Sequence, residues 1–546
     1  MSRSPIELMG TPDELCHWIP GEIVVIVQLP RRLTNDEQEM LVEQILDRLN
    51  SLLARYDLAL EAYGTAGRWH VIPTMPPIRR RSFIFGLHKQ LPYAALFFHV
   101  RHNDVQVLDP MPMALSYLHA NLEQLAQEGL SIVSAMPNWL VTAAPVYYGF
   151  GGPVFPPRSA PTPQPDKPTI GNTATGWHLS IADQSIPLDR NGAEDVTIAI
   201  LDTAHHPDRV RSAATRPELR RNWLLQRLNT NLRSENGSFT IEYDRYPVTN
   251  DVRTGRDAEN DPRYYFMPDH GLFVTGLIRD IAPRARLRLI RILNDFGGCD
   301  LYNLFAALTD LEHELESGAI RRLVINLSLT VMPDIRRLPY VWFDHRQWQT
   351  LQLSGVIRML QSLEDGLILL FDALYAQGAL MIAAAGNDSV RSTQKGLSPR
   401  SPRVPASYAT TLSVTSVNSH YQPSRFANAA NVLTGNTGIS TFGGDDSLLA
   451  GINDIPDAVR GLYISPTFPL GEQNITGWAD WSGTSFSTAI ISALAAHLVA
   501  QGLSVPEVMT RIASGHSQQN PHLYGKSPDA PTLLANIVRV QQFFGS

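Results

Sequence analysis

Five apolar runs rich in β-branched residues, VTIAIL, LRLIRIL, LVINLSL, LMIAAAG and TLSVTSV, alternate with helical stretches of ten or more residues in the later part of the chain. Strands of a parallel sheet are buried on both faces by crossover helices, so they read as continuous apolar runs. The expected architecture over 177–546 is therefore α/β, a parallel sheet flanked by helices. Such sheets place function at the C-terminal ends of strands and at the starts of the helices that follow. With 546 residues, 44% of them apolar and 18% charged, the chain exceeds one typical domain and can bury a sizeable core.

A different pattern precedes this region. EIVVIVQL reads as a strand, and a helix follows with Leu41, Ile45, Leu49 and Leu52 on one face, opened by Thr34 and Glu37 at capping-box spacing. A strand near 58–72, the strand YAALFFHV, a helix bearing Leu115, Leu118, Leu122 and Leu125, a stop at Gly129 and the strand LSIVSAM complete the order β-α-β-β-α-β. That order is ferredoxin-like, which predicts a small α+β domain over 22–143 behind an arm at 1–21. The stretch 144–176, APVYYGFGGPVFPPRSAPTPQPDKPTIGNTATG, is rich in Pro and Gly and is expected to be an exposed, cleavable linker.

Charge and composition exclude several functions. A net charge of -7 without clustered Lys and Arg argues against a nucleic-acid surface. No apolar run approaches the roughly eighteen residues of a membrane span, and the first twenty residues have no signal-like core, so a cytoplasmic location is expected. Cys16 and Cys299 are the only cysteines, which fits a reducing compartment without structural disulfides.

Three residue types that handle protons occupy strand or helix ends. Asp202 closes VTIAIL in the triplet DTA, His270 opens HGLFVTGLI, and Ser485 stands in GTSFSTAIISALAA at the mouth of an apolar helix. Singly, each has a structural explanation: a helix cap, a buried hydrogen-bonded histidine, a serine N-cap. Their order along the chain, Asp then His then Ser, is one of the known orders of a catalytic triad.

From about Trp177 onward the sequence resembles the subtilase family of serine proteases. DTA resembles its D-[ST]-G, HGLFVTG its H-G-T-H-V-A-G, and GTSFSTA its G-T-S-M-A-[TS]-P. VINLSL, AAAGND and VPASYATTLSVTSVN resemble further family segments. The resemblance implies endopeptidase activity, with Ser485 as nucleophile, His270 as general base, Asp202 orienting the imidazole and Asn387 donating to the oxyanion. It further implies substrate pairing by Ser328 and Leu329 on one side and Gly298 and Cys299 on the other. A pocket wall of Ala384, Ala385 and Gly386, and a cis Val404-Pro405 bond, belong to the same set of expectations. The N-terminal domain, ending in MPNWLVTA, looks like the inhibitory propeptide of such enzymes, so a latent zymogen activated by self-cleavage near the linker is expected.

Departures from the family pattern bear on specificity. Ala204, Phe273 and Ala489 replace a Gly, a His and a Pro, and Thr330 stands where Gly is usual, where it could narrow the pocket. Asp388, with Asp295 and Asp300, is expected to form an acidic rim favouring Lys or Arg near the cleavage point. Two long insertions, within 204–265 and 331–370, suggest lids or docking surfaces for a regulatory protein partner. Partners are then a protein or peptide substrate and the chain's own N-terminal domain, with no nucleic acid and no membrane. The family admits a structural calcium ion, although no contiguous loop carries the spacing of a strong calcium motif. Competing readings are an inactive subtilase fold used as a binding scaffold, and hydrolysis of esters.

Overall fold

A computed structural model describes residues 18–62, 82–86, 91–143 except 105 and 108, 156–162, 177–181, 184–185, 192–233, 237–246, 248, 266–331, 365–389, 399–431, 437–445, 457–515, 524–525, 532–533 and 535–542. The chain forms two compact units. One contains residues 1–140, 300–319 and 332–377, the other 141–299, 320–331 and 378–546.

In the first unit the strands are β1 (Trp18–Gln28), β2 (Leu58–Ala62), β3 (Ser82–Phe85), β4 (Tyr93–His102) and β5 (Ile132–Ala143), the last running on into the second unit. The sheet order is β5-β1-β4-β2 with antiparallel neighbours, the order of a ferredoxin-like domain. Helix α1 (Asn35–Leu53) starts at Thr34, whose hydroxyl and backbone form the expected capping box with Glu37. It buries Val42, Ile45, Leu49 and Leu52, while α2 (Met111–Gln127) buries Ala114, Leu115, Leu118 and Leu125. The hairpin strand β3, paired with the start of β4, was not legible in the alternation.

All residues from Ala94 to Val100 of β4 are buried, which requires cover on both faces of the strand. Part of that cover comes from residues far along the chain. The rings of Phe83 and Phe97 meet Tyr302 at 5.1 and 5.2 Å, and Phe85 and Phe97 meet Phe305 at 6.1 and 6.0 Å. The helix Leu301–Glu316 that carries these rings also takes the Gly86 N–H on the Glu312 carboxylate at 2.9 Å and pairs Glu316 with Arg32 at 2.9 Å. Asn138 of β5 accepts the Leu301 N–H at 3.0 Å and donates to Asp300 at 3.2 Å, capping the same helix. In the helix Asp365–Ala376, a Cβ on Gly366 would lie 2.8 Å from the Ile26 Cδ1 methyl, so a larger residue there would require that side chain to shift.

The second unit is built on eight parallel strands. Their order is Phe239–Glu242, Arg286–Arg291, Thr197–Asp202, Leu323–Leu327, Ala379–Ala384, Thr411–Val417, Gly438–Phe442 and Asn536–Ile537. The five apolar runs are five of these strands. Thr197–Asp202 sits where the strand order reverses, the switch point at which α/β sheets open a crevice. The helices His270–Ile281 and Thr484–Ala500 are buried along nearly their whole length. Outside the sheet, Trp177–Ile181 pairs antiparallel with Arg539–Gln542.

Part of the expected linker is docked rather than exposed. Arg158–Ser159 pairs antiparallel with Ala479–Asp480, the Ala160 N–H bonds to Trp478 O at 3.0 Å, and Ala160 O accepts from the Thr476 hydroxyl at 2.7 Å. Pro156 and Pro157 hold φ near the extended range and lack an N–H, which suits the approach to a sheet edge. The Arg-rich insertion folds into the helices Pro207–Thr215 and Trp223–Arg233 and buries Val210, Leu224, Leu225 and Leu228, so it is packed structure and not a loose lid. The aromatic-rich insertion at 336–360, Cys16 and most of the N-terminal arm lie outside the described residues. Cys299 is a buried thiol, the Val404-Pro405 bond is cis, and among the described residues no helix is long and apolar enough to cross a membrane.

Candidate active site

Asp202 ends its strand with Oδ1 accepting the Thr203 N–H at 2.6 Å and facing His270 Nδ1 at 2.7 Å. A carboxylate at that distance fixes the proton on Nδ1, which leaves Nε2 as the basic nitrogen. Both side chains are fully buried, and among the described residues neither His270 Nε2 nor Asp202 Oδ2 has a hydrogen-bond partner. The approach of helix to strand depends on Gly271. A Cβ there would lie 2.0 Å from Thr203 O and 2.9 Å from Asp202 Cβ, so any side chain would push the imidazole away from the carboxylate. The Thr203 hydroxyl tightens the junction by accepting the Gly271 N–H at 3.0 Å and donating to Pro268 O at 3.2 Å.

Ser485 is the second residue of the helix Thr484–Ala500, where the helix dipole favours negative charge. Its hydroxyl donates to Ser328 O at 3.4 Å, and Ser328 Oγ donates to Ser485 O at 2.9 Å. Asn326, at the end of Leu323–Leu327, donates to Ser492 at 3.0 Å, so the strand end and the Ser485 helix are tied at two levels. Asn387 Oδ1 accepts the N–H and the hydroxyl of Thr484 at 3.0 and 2.9 Å. That anchorage sets which end of the amide is oxygen and turns its NH2 to the other side. Asp202, His270, Ser485 and Asn387 are all 0% exposed.

The segment that follows Ser328 forms a short strand, Leu329–Val331, which pairs antiparallel with Val141–Ala143: Leu329 opposes Ala143, Thr330 opposes Thr142 and Val331 opposes Val141. The Ala143 N–H donates to Gly297 O at 2.8 Å. Gly298 and Cys299 begin the strand Gly298–Asp300, a hydrogen-bonded neighbour of β5 in the sheet; the Gly298 N–H and C=O bond to Asn294, and the Ala143 N–H bonds to Gly297 O. Ala384 and Ala385 are fully buried at the end of Ala379–Ala384, and Ala385 O is held by the Arg403 N–H at 3.0 Å and the Asn428 side chain at 3.1 Å. Gly386 adopts φ +107°, and a Cβ would lie 2.6 Å from Asn428 Nδ2, so glycine is obligatory.

The expected acidic rim is not there. Asp388 is 4% exposed, pairs with Arg403 at 2.8 Å and accepts from Asn428 at 2.8 Å. Burial would raise its carboxyl, but the Arg403 guanidinium prevails and holds it below the ordinary carboxylate range. Asp295 pairs with Arg291 at 3.3 Å, and Asp300 is the N-cap of its helix, accepting the Asn303 N–H at 3.2 Å. Each of the three carboxylates is thus engaged within the chain.

Two features escaped the sequence reading. Asp269, the residue before His270, gathers the N–H groups of Ile464 and Ser465 at 2.7 and 3.2 Å, the Ser465 hydroxyl, and His205 Nε2 at 3.2 Å. Burial opposes its ionisation, yet His205 and these donors keep its carboxyl below the usual value. The pairs Asp202–His270 and His205–Asp269 thus interlace the same two segments. The second feature is an aromatic cluster. Trp481 stands edge-on to His270 at 5.5 Å and Phe486 lies 5.7 Å from it, while Phe273 packs on both at 5.5 and 4.5 Å. A Cβ on Gly461 would lie 2.6 Å from the Phe273 ring. The signal for the cluster was two departures to Phe in separate motifs, at Phe273 and Phe486, which fill one space.

Among the described residues no group of three or more His, Cys, Asp or Glu side chains could hold a metal ion. Among solved structures, the chain is similar to a lanthipeptide protease (19% identity, 64% of this chain and 87% of that one, TM-score 0.36). It is also similar to the prenylagaramide maturation protease PagA (19% identity, 59% and 82%, TM-score 0.32). None of the curated proteins matches. The sequence model of the subtilase family matches residues 193–517, more than half of the chain, and that span contains Asp202, His270, Asn387 and Ser485. The chain belongs to the subtilase family.

Proposed function

We propose that this protein is a serine endopeptidase in which Ser485, His270 and Asp202 act as the triad. The observation that carries the reading is the buried Asp202–His270 pair at 2.7 Å, whose second ring nitrogen has no hydrogen-bond partner among the described residues. Ser485 Oγ attacks the peptide carbonyl carbon as its proton passes to His270 Nε2, which requires rotation of the hydroxyl away from Ser328 O. The C–N bond then breaks, the amine leaves with that proton, and an acyl ester on Ser485 remains. Water repeats the sequence in reverse, with His270 again taking the proton. Asp202 stabilises the imidazolium. The amide NH2 of Asn387 and the Ser485 N–H serve the tetrahedral oxygen.

The enzyme is latent in this form. Val141–Ala143 lies along Leu329–Val331 as an added strand, the position an extended substrate takes, and the four reacting side chains have no solvent exposure. The first unit, which leads into this segment, then acts as an inhibitor.

Mapping the N-terminus of the purified protein, wild type against Ser485→Ala, tests both parts of the reading. A shortened wild type beside an intact variant supports self-processing, and equal processing of the two sinks it. Casein and ester substrates assayed side by side separate peptidase from esterase, and the proposal expects casein to be cut.

A further inference from the structure

Thr330 occupies a position where the family pattern has glycine, and its environment gives the substitution a use. Thr330 and Thr142 are direct cross-strand neighbours, both 0% exposed, with their hydroxyl oxygens 3.5 Å apart. Among the described residues the Thr142 hydroxyl is the only side-chain partner of the Thr330 hydroxyl. A peptide that replaced this segment without bringing a hydroxyl would leave a buried donor unsatisfied, and such sites reject the ligand that lacks the group.

The next position is restricted by size. Ala143 is 0% exposed, and its N–H is held by Gly297 O at 2.8 Å. A Cβ built on Gly297 would lie 3.2 Å from Ala143 Cβ and 3.0 Å from Met267 Sδ, so the methyl group of Ala143 already fills the space against the Gly297 backbone. Val141, also fully buried, sets an apolar residue opposite Val331.

We propose that Thr330 is a specificity-determining residue, and that the cleft selects peptides with an apolar residue, then Thr or Ser in register with Thr330, then Ala or Gly in register with Leu329. This rests on the peptidase reading above. The chain's own Val141-Thr142-Ala143 is then a sample of the sequence that the cleft takes.

The test compares two peptides differing only as Val-Thr-Ala against Val-Val-Ala, assayed on the full-length protein and on its Thr330→Val and Thr330→Ser variants. Thr and Val have the same shape, so the difference isolates the hydroxyl. A ratio of kcat/KM values on one preparation is also independent of how much of it is latent. The wild type is expected to prefer the Thr peptide about fivefold, Thr330→Val to bring the ratio to about one, and Thr330→Ser to keep the preference. Enlarging the Ala of the peptide to Leu is expected to cost at least about tenfold. The same ratio read as protection of Ser485 in the wild type from a fluorophosphonate probe, a measure of peptide binding, requires no peptide hydrolysis. Preserved discrimination in binding without hydrolysis would support the role of Thr330 and remove the peptidase reading alone. A wild-type ratio near one in both assays, or a ratio unchanged in Thr330→Val, would overturn the inference.

Discussion

In the first unit, two buried carboxylates end on neutral donors that hold elements together: Glu312 takes the Gly86 N–H, and Asp300 takes the Asn303 N–H and the Asn138 amide, while a third, Glu22, takes the Asn138 amide and lies 3.5 Å from His99. In the second unit, carboxylates at strand and helix ends face cations or imidazoles: Asp202 with His270, Asp269 with His205, Asp388 with Arg403. The difference lies in what is left over. A structural carboxylate is most useful when its donors are satisfied, whereas the proton-transferring role proposed for His270 needs a basic atom such as its Nε2, which has no partner among the described residues. Burial and charge alone therefore do not distinguish the two kinds of pair.

Substitutions can break this comparison, beginning with the largest effect. Ser485→Ala is expected to lower peptide hydrolysis by about 10^4-fold or more, with thermal unfolding little changed, measured as kcat/KM beside a melting curve. Asp388→Ala removes the carboxylate that faces the buried Arg403 guanidinium at 2.8 Å, and is expected to cost about 3–5 kcal/mol in denaturant unfolding. Glu312→Gln in the first unit weakens the bonds to the Gly86 N–H and is expected to cost about 1–3 kcal/mol by the same measurement. Asn387→Ala is expected to lower kcat by about 10^2- to 10^3-fold with a smaller change in KM.

A further effect depends on pH. Burial pushes Asp445 up to about 6, against the pull of Arg425. Its folded value lies above its unfolded one, so the native state binds more protons between the two, and stability falls as pH rises from about 4 to 6. Asp445→Asn should therefore stabilise the protein by on the order of 2–3 kcal/mol at pH 8 and by nearly nothing at pH 4. An equal effect at both values would show that the carboxyl titrates normally.

Local and periodic features were legible in the sequence. The Thr34–Glu37 box, the five parallel strands and, apart from the added strand Ser82–Phe85, the β-α-β-β-α-β order follow from spacing alone, because neighbours in the chain generate them. Partners distant in sequence were not legible. Asp388 reads as an exposed loop residue until Arg403, fifteen positions on, is brought against it, and Asp300 meets Asn138 across 162 positions. His205–Asp269 was hidden for the same reason. Arg158–Ala160 was hidden by its composition, since Pro-rich text signals missing backbone donors and says nothing about a sheet edge that tolerates their absence.

The central claim, that His270 activates Ser485 in a site oriented by Asp202, is tested most directly by labelling with a fluorophosphonate probe and mapping the modified peptide. The account predicts that Ser485 is the serine labelled in the wild type and that His270→Ala slows its labelling at least about 100-fold. Labelling at another serine, or an unchanged rate at Ser485 in His270→Ala, would contradict it.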